Sequence, residues 1–122
     1  MSKKILLIED EEQIRDLYKR QLEKANIITD AVESAEDAVK LLKNNIYDLI
    51  LLDLMLPGEN GIKFLEKIKA NPKTKNIKVV LLTNLAIQTI INKGLELGAI
   101  DYILKIKHTP EQIVEKVSKY LS

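Results

Sequence analysis

Glu9, Asp10, Asp53, Thr83 and Lys105 share one sequence context, because each stands at the end of a short apolar run. Glu9 and Asp10 follow Ile5 to Ile8, Asp53 follows Leu49 to Leu52, Thr83 follows Val79 to Leu82, and Lys105 follows Tyr102 to Leu104. Three carboxylates, a hydroxyl and an ammonium form a distinct chemical set if the fold brings them together. Neighbouring carboxylates repel and raise one another's pKa, so a divalent cation is the natural relief. All-oxygen ligands without His or Cys favour a hard ion, Mg2+ or Mn2+, over zinc. Asp53 poses a further requirement. A carboxylate at the end of a wholly apolar strand needs a compensating charge, and Lys105 is the residue that supplies it.

The elements between these residues must bring them together. Besides the four runs above, a short apolar pair at Ile27 and Ile28 marks one more strand. Helical spacing separates the runs. Ile14, Leu17, Tyr18, Leu22 and Ala25 share one helical face, and Ala35, Ala38, Val39 and Leu42 a second. Ile62, Leu65 and Ile68 mark a third helix, Ile87, Ile90, Ile91 and Leu95 a fourth, and Ile113, Val117, Tyr120 and Leu121 a fifth. Ser34 with Asp37, and Thr109 with Pro110 and Gln112, read as helix starts, and Gly98 as a left-handed helix end. Near-continuous apolar strands alternating with amphipathic helices predict a five-stranded parallel sheet with helices on both faces, an α/β doubly wound fold. Ligands of such sheets bind beyond the carboxyl ends of the strands, so the five residues named first are expected to converge.

Composition narrows the function further. The 122 residues fit one domain spanning 1–122, with 46% hydrophobic and 30% charged residues. A formal net charge of +1 gives no general pull towards nucleic acid or an anionic membrane. No cysteine is present, which excludes disulfides and thiolate metal sites. The N-terminal apolar run stops after Ile8, too short for a signal peptide or a membrane span, so a cytoplasmic location is expected.

The ordered motifs ILLIEDEE, YDLILLDLMLPGENG, VVLLTN and GAIDYILK resemble the receiver domain of two-component response regulators, over essentially the whole chain. The resemblance implies a flavodoxin-like sheet in the order 2-1-3-4-5. It also implies a phosphorylation-dependent signalling switch rather than an enzyme. Asp53 would accept a phosphoryl group from a histidine kinase or histidine phosphotransfer protein. Asp10 would bind Mg2+ directly, Glu9 through water, with Asp53 and the backbone carbonyl of Met55 as further ligands. Lys105 would pair with Asp53 and then with the phosphoryl oxygens, Thr83 would hydrogen-bond the phosphoryl group, and Tyr102 would follow Thr83 inward as a switch residue. Phosphoryl transfer asks mainly for alignment and charge neutralisation, which such a set provides.

Blander readings stand beside these roles. Asp10 also suits a helix cap through Gln13, Tyr102 also suits a packed strand aromatic, and the lone His108 reads as a surface residue. A haloacid-dehalogenase-like phosphatase would want an aspartate where Met55 stands, and no glycine-rich nucleotide loop occurs. The remaining alternative is a degenerate receiver acting as a constitutive protein-interaction module. A stand-alone receiver without an output domain is the leading expectation, as a monomer or weak homodimer, with the receiver piece of a longer regulator as the alternative. Two positions depart from the family pattern: Asn84 replaces a small residue, and Ile106 replaces the proline that usually follows the lysine. Because a cis bond costs about 2.5–4 kcal/mol before a non-proline residue, Lys105–Ile106 is expected to be trans, with the ammonium still reaching Asp53. Met55 and Leu85, both apolar, are expected to flank the water approach to Asp53, which predicts a slowly decaying phosphoryl group.

Overall fold

The computed structural model describes residues 2–56, 60–84 and 87–122. Leu85 and the Pro57–Gly58 part of the loop after the third strand lie outside those residues. In chain order the elements are β1 (Lys4–Ile8), α1 (Glu12–Lys24), β2 (Ile28–Val32), α2 (Ala35–Leu42), β3 (Leu49–Leu52) and α3 (Gly61–Ala70). They continue with β4 (Lys78–Thr83), α4 (Gln88–Glu96), β5 (Asp101–Leu104), a 3-10 turn (Lys105–Lys107) and α5 (Pro110–Leu121). All strand pairs are parallel, in the order β2-β1-β3-β4-β5. The expected α/β doubly wound architecture is therefore the observed one.

Alternate residues of each strand point to opposite faces, and two cores result. Leu6, Ile8, Ile50, Leu52, Val79 and Leu81 pack with Ala35 and Ala38 of α2 and with Phe64, Leu65 and Ile68 of α3. Half-buried Ile90 and Leu95 bring α4 onto the same side. Ile5, Leu7, Leu49, Leu51, Val80, Leu82 and Ile103 pack with Tyr18 and Leu22 of α1 and with Ile113, Val117 and Leu121 of α5. The three central strands are apolar on both faces because each face is covered, which is why they read as unbroken runs.

Helix ends are set locally. The Ser34 hydroxyl accepts from Asp37 N–H, and Thr109 and Gln112 form a complete capping box behind Pro110. Gly98 has φ of +114° just after α4, the left-handed region where a side chain would be strained. Two expectations need correction. The second strand runs Ile28–Val32, further than the apolar pair suggested, since polar Thr29 and Asp30 interrupt the hydrophobic signal in a strand at the sheet's edge. Ala25 is exposed beyond the end of α1, because Asn26 (φ 65°) turns the chain towards β2.

Candidate functional site

Parallel register carries straight into the site. Ile8 lies opposite Leu52, and Leu52 opposite Leu81, so β1, β3 and β4 end nearly level. The ladder continues for one residue: Asp53 N–H donates to the Ile8 carbonyl at 3.1 Å and Glu9 N–H to the Val32 carbonyl at 2.9 Å. Glu9 and Asp53 thus emerge side by side, and the ammonium of Lys105 reaches them from the end of β5. Its Nζ donates to Asp53 Oδ2 at 2.9 Å and also to Glu9 Oε1. The three side chains retain only 6%, 6% and 1% exposure for Lys105, Asp53 and Glu9. The remaining carboxylate oxygens are met by backbone donors, Met55 N–H on Asp53 Oδ1 at 3.0 Å and Glu11 N–H on Glu9 Oε2 at 3.1 Å. Every buried acid oxygen in this pair of residues has a donor, as burial demands.

Asp10 completes the cluster from an exposed position, and carboxylate oxygens of Glu9, Asp10 and Asp53 all lie within 4.8 Å of one another. Beside them opens a cavity of about 220 Å³, lined by Asp10, Glu11, Asp53, Met55, Asn84 and Lys105. Burial pushes the Glu9 carboxyl above its ordinary value, and the hydrogen bond from Lys105 works against that rise. Burial alone would depress the Lys105 ammonium, but its bonds to Glu9 and Asp53 outweigh it and hold the group above its usual value. One firmly charged ammonium therefore faces three acids, and negative charge remains to be neutralised. Oxygen donors at this spacing, with open space beside them, fit a hard divalent ion such as Mg2+. Glu9 already spends its oxygens on Lys105 and Glu11, which suits contact with such an ion through water rather than directly.

Of the residues singled out in the sequence, Glu9, Asp10, Asp53, Met55 and Lys105 are brought together. The Lys105–Asp53 contact is as expected; the second bond, to Glu9, is not foreseeable from spacing. No cis peptide bond occurs among the described residues, so Lys105–Ile106 is trans, and Lys105 opens a 3-10 turn. Met55 is 61% exposed at the cavity wall. Thr83 is fully buried at the end of β4, and it is Asn84 that lines the cavity there. Tyr102 is half-buried and packs against the core formed by α2, α3 and α4, outside the cluster. The capping role weighed for Asp10 is not taken up, since α1 begins one residue later with Glu11 at its N-cap and no side-chain cap bond. His108 is half-buried rather than superficial, its Nδ1 lying 3.0 Å from the Leu104 carbonyl oxygen.

Two contributors escaped the sequence reading. The Arg15 guanidinium donates to the backbone carbonyls of Glu9 at 3.0 Å and Asp10 at 3.3 Å, clamping the turn that presents both acids. Its only sequence signal is an arginine one turn into the helix after the acid pair. Gly61 lets α3 start against the site: a Cβ there would lie 2.7 Å from the Asp53 carbonyl oxygen and 2.7 Å from Leu54 Cα. Gly61 N–H donates to the Leu54 carbonyl at 3.1 Å, so the loop closes on itself directly behind Asp53.

Residues 5–118 match the family model described as "Response regulator receiver domain". The phosphate regulon transcriptional regulatory protein PhoB of Escherichia coli is 38% identical over 117 residues, covering 96% of this chain and 51% of PhoB. The transcriptional regulatory protein SrrA of Staphylococcus aureus is 36% identical over 121 residues, covering 99% of this chain and 48% of SrrA. The chain thus spans about half the length of these curated relatives. Among solved structures, a CheY-like response regulator receiver domain protein from Methanospirillum hungatei superposes with a TM-score of 0.90 at 27% identity, covering 99% of this chain and 94% of that one. Domains of this kind are signalling switches, generally not enzymes, that interact with histidine kinases or phosphotransfer proteins and typically bind Mg2+ at an acidic cluster. With almost the whole length matched and the fold shared, the chain belongs to the response regulator receiver domains of two-component systems.

Proposed function

We propose that this receiver switches by accepting a phosphoryl group on Asp53 from a phosphorylated histidine of a kinase or phosphotransfer protein in the cytoplasm. The observation that carries the reading is Asp53 itself: a buried carboxylate bonded by Lys105 at 2.9 Å, inside a three-acid cluster beside an open cavity. In the transfer, an Asp53 oxygen forms a bond to phosphorus as the P–N bond breaks, and the imidazole nitrogen retains the electron pair and takes up a proton. Such a step asks for alignment and neutralisation more than for acid–base chemistry. Lys105 is placed to leave one Asp53 oxygen and follow the phosphoryl oxygens. Asp10 and Asp53, the Met55 carbonyl, and Glu9 through water would hold Mg2+. Bound there, the ion would offset negative charge on the phosphoryl oxygens. Thr83 would turn towards the phosphoryl group, and Tyr102, packed on the α4 side of the sheet, would move with it.

Incubation with Mg2+ and a small-molecule phosphodonor, followed by intact mass measurement, tests the assignment. One added phosphoryl group is expected, absent in Asp53→Asn. Undiminished labelling of that variant would overturn it.

A further inference from the structure

At the end of the sheet away from the acid cluster, α2 and α3 leave a groove between their C-terminal ends. Helices of a parallel sheet run opposite to the strands, so this groove and the phosphoacceptor site lie at opposite ends of the molecule. The groove has a volume of about 390 Å³ and continues into a second of about 450 Å³, the two sharing Leu42, Lys43, Lys73 and Thr74. Val39, Leu42 and Ile68 give it an apolar floor, and Ile46, 90% exposed, extends that surface outward. Lys43 and Lys73 stand on the rim, both exposed, and neither takes part in an ion pair among the described residues. No acidic residue lines either groove. The surrounding sequence sharpens the contrast: from Gly61 to Lys78 there are six lysines against the single acid Glu66, although the whole chain nets only +1.

We propose that this groove docks an acidic amphipathic helix of a protein partner, with apolar side chains on Val39, Leu42 and Ile68 and carboxylates against Lys43 and Lys73. An apolar floor with a charged rim is the form that accepts a helix laid in a groove. The same features disfavour other polyanions. Nucleic acid is held by rows of cations along an open track, with arginine or aromatic planes for the bases, and this groove offers neither arginine nor aromatic residues. A lipid surface would need apolar groups projecting outward, whereas Val39, Leu42 and Ile68 lie on a concave floor. The charge lies where an acidic peptide, and not an apolar one, gains most from it.

Amide shifts of the isotopically labelled chain decide the matter. The probe is a synthetic peptide of about 15 residues with leucines at i, i+3, i+4 and i+7 and glutamates elsewhere. Shifts confined to residues 39–46 and 68–77 are expected, absent with the counterpart peptide carrying lysines in place of glutamates. Reversing the rim with Lys43→Glu and Lys73→Glu, both exposed changes that leave the cores intact, should weaken the peptide about tenfold. Binding mapped elsewhere, affinity unmoved by the double reversal, or equal shifts with the lysine peptide would each overturn the proposal. So would silence towards the acidic peptide combined with shifts from anionic vesicles or single-stranded RNA. Because Asp53 is untouched, loss of phosphorylation in an Asp53→Asn chain leaves this outcome unaffected.

Discussion

Lys105 serves two carboxylates at once, and that double duty makes it the residue on which the site's charge balance turns. Its ammonium bonds Asp53 and Glu9 while all three side chains are almost fully withdrawn from water. Removing one partner of a buried ionic group leaves the other charges uncompensated, which typically costs about 3–5 kcal/mol. Lys105→Met is therefore expected to lower stability by roughly that amount in Mg2+-free urea denaturation, with the deficit shrinking when Mg2+ is added. Equal stability of variant and native protein without metal would show that water already shields the acids. Met55 makes a different kind of prediction. Its side chain is 61% exposed at the cavity wall and cannot orient a water molecule. Met55→Asn places an amide there and should speed hydrolysis of phosphorylated Asp53, read as mass loss over time. An unchanged lifetime would place control of water access elsewhere.

Among the elements, what was legible in the sequence follows from how each is solvated. The central strands could be read from hydrophobicity alone because both their faces are covered, and their ends then named Glu9, Asp10, Asp53 and Thr83; Lys105 came from the short apolar run of the edge strand β5. The edge strand Ile28–Val32 was only half legible, since Thr29 is buried by donating its hydroxyl to the Ile27 carbonyl at 3.1 Å, a compensation that hydropathy does not reveal. Arg15 and Gly61 were missed because their roles are contacts with backbone groups five to eight residues earlier in the chain, which hydropathy and helical spacing do not record. The turn after β5 lies between these cases. Its trans peptide followed from the cost of the cis form, but its 3-10 geometry over Lys105–Lys107 did not. That geometry makes Ile106→Pro informative. A residue before proline is driven out of helical backbone angles by a clash with the ring, and here that residue is Lys105. The variant should lose the turn and misplace the ammonium, lowering the phosphorylation rate from a small-molecule donor and destabilising the chain by on the order of 1 kcal/mol or more. A variant as reactive and as stable as the native chain would show that the turn absorbs a proline.

Across the whole molecule, polar networks close both ends of an otherwise apolar two-layered core. Opposite the acid cluster, Lys4 at the start of β1 lies 3.6 Å from Asp30 and 5.0 Å above the Tyr47 ring, and donates to Asn45 at 3.1 Å. The Tyr47 hydroxyl donates to Asp30 Oδ2 at 2.6 Å, and the residue as a whole is only 3% exposed. Burial first, and then the bond to Asp30, push the Tyr47 hydroxyl well above its ordinary value. The sign of the linkage follows. A group whose pKa is raised on folding gives its full stabilisation below the unfolded value, near 10 for tyrosine, and loses it as pH rises towards the folded value. Tyr120, raised by its bond to Asp101 and then by burial, acts in the same direction. Stability should therefore be flat through neutral pH as far as these tyrosines are concerned and fall above about pH 10. Tyr47→Phe removes one titration without emptying the core. It should cost about 1 kcal/mol at neutral pH, because Asp30 is partly exposed and keeps Lys4. Above pH 10 the gap between variant and native chain should narrow, since the native protein is losing what the variant never had. Urea midpoints measured at pH 8 and at about pH 10.5 check this directly. Parallel decline of the two proteins would mean that the Tyr47–Asp30 bond contributes nothing to alkaline stability.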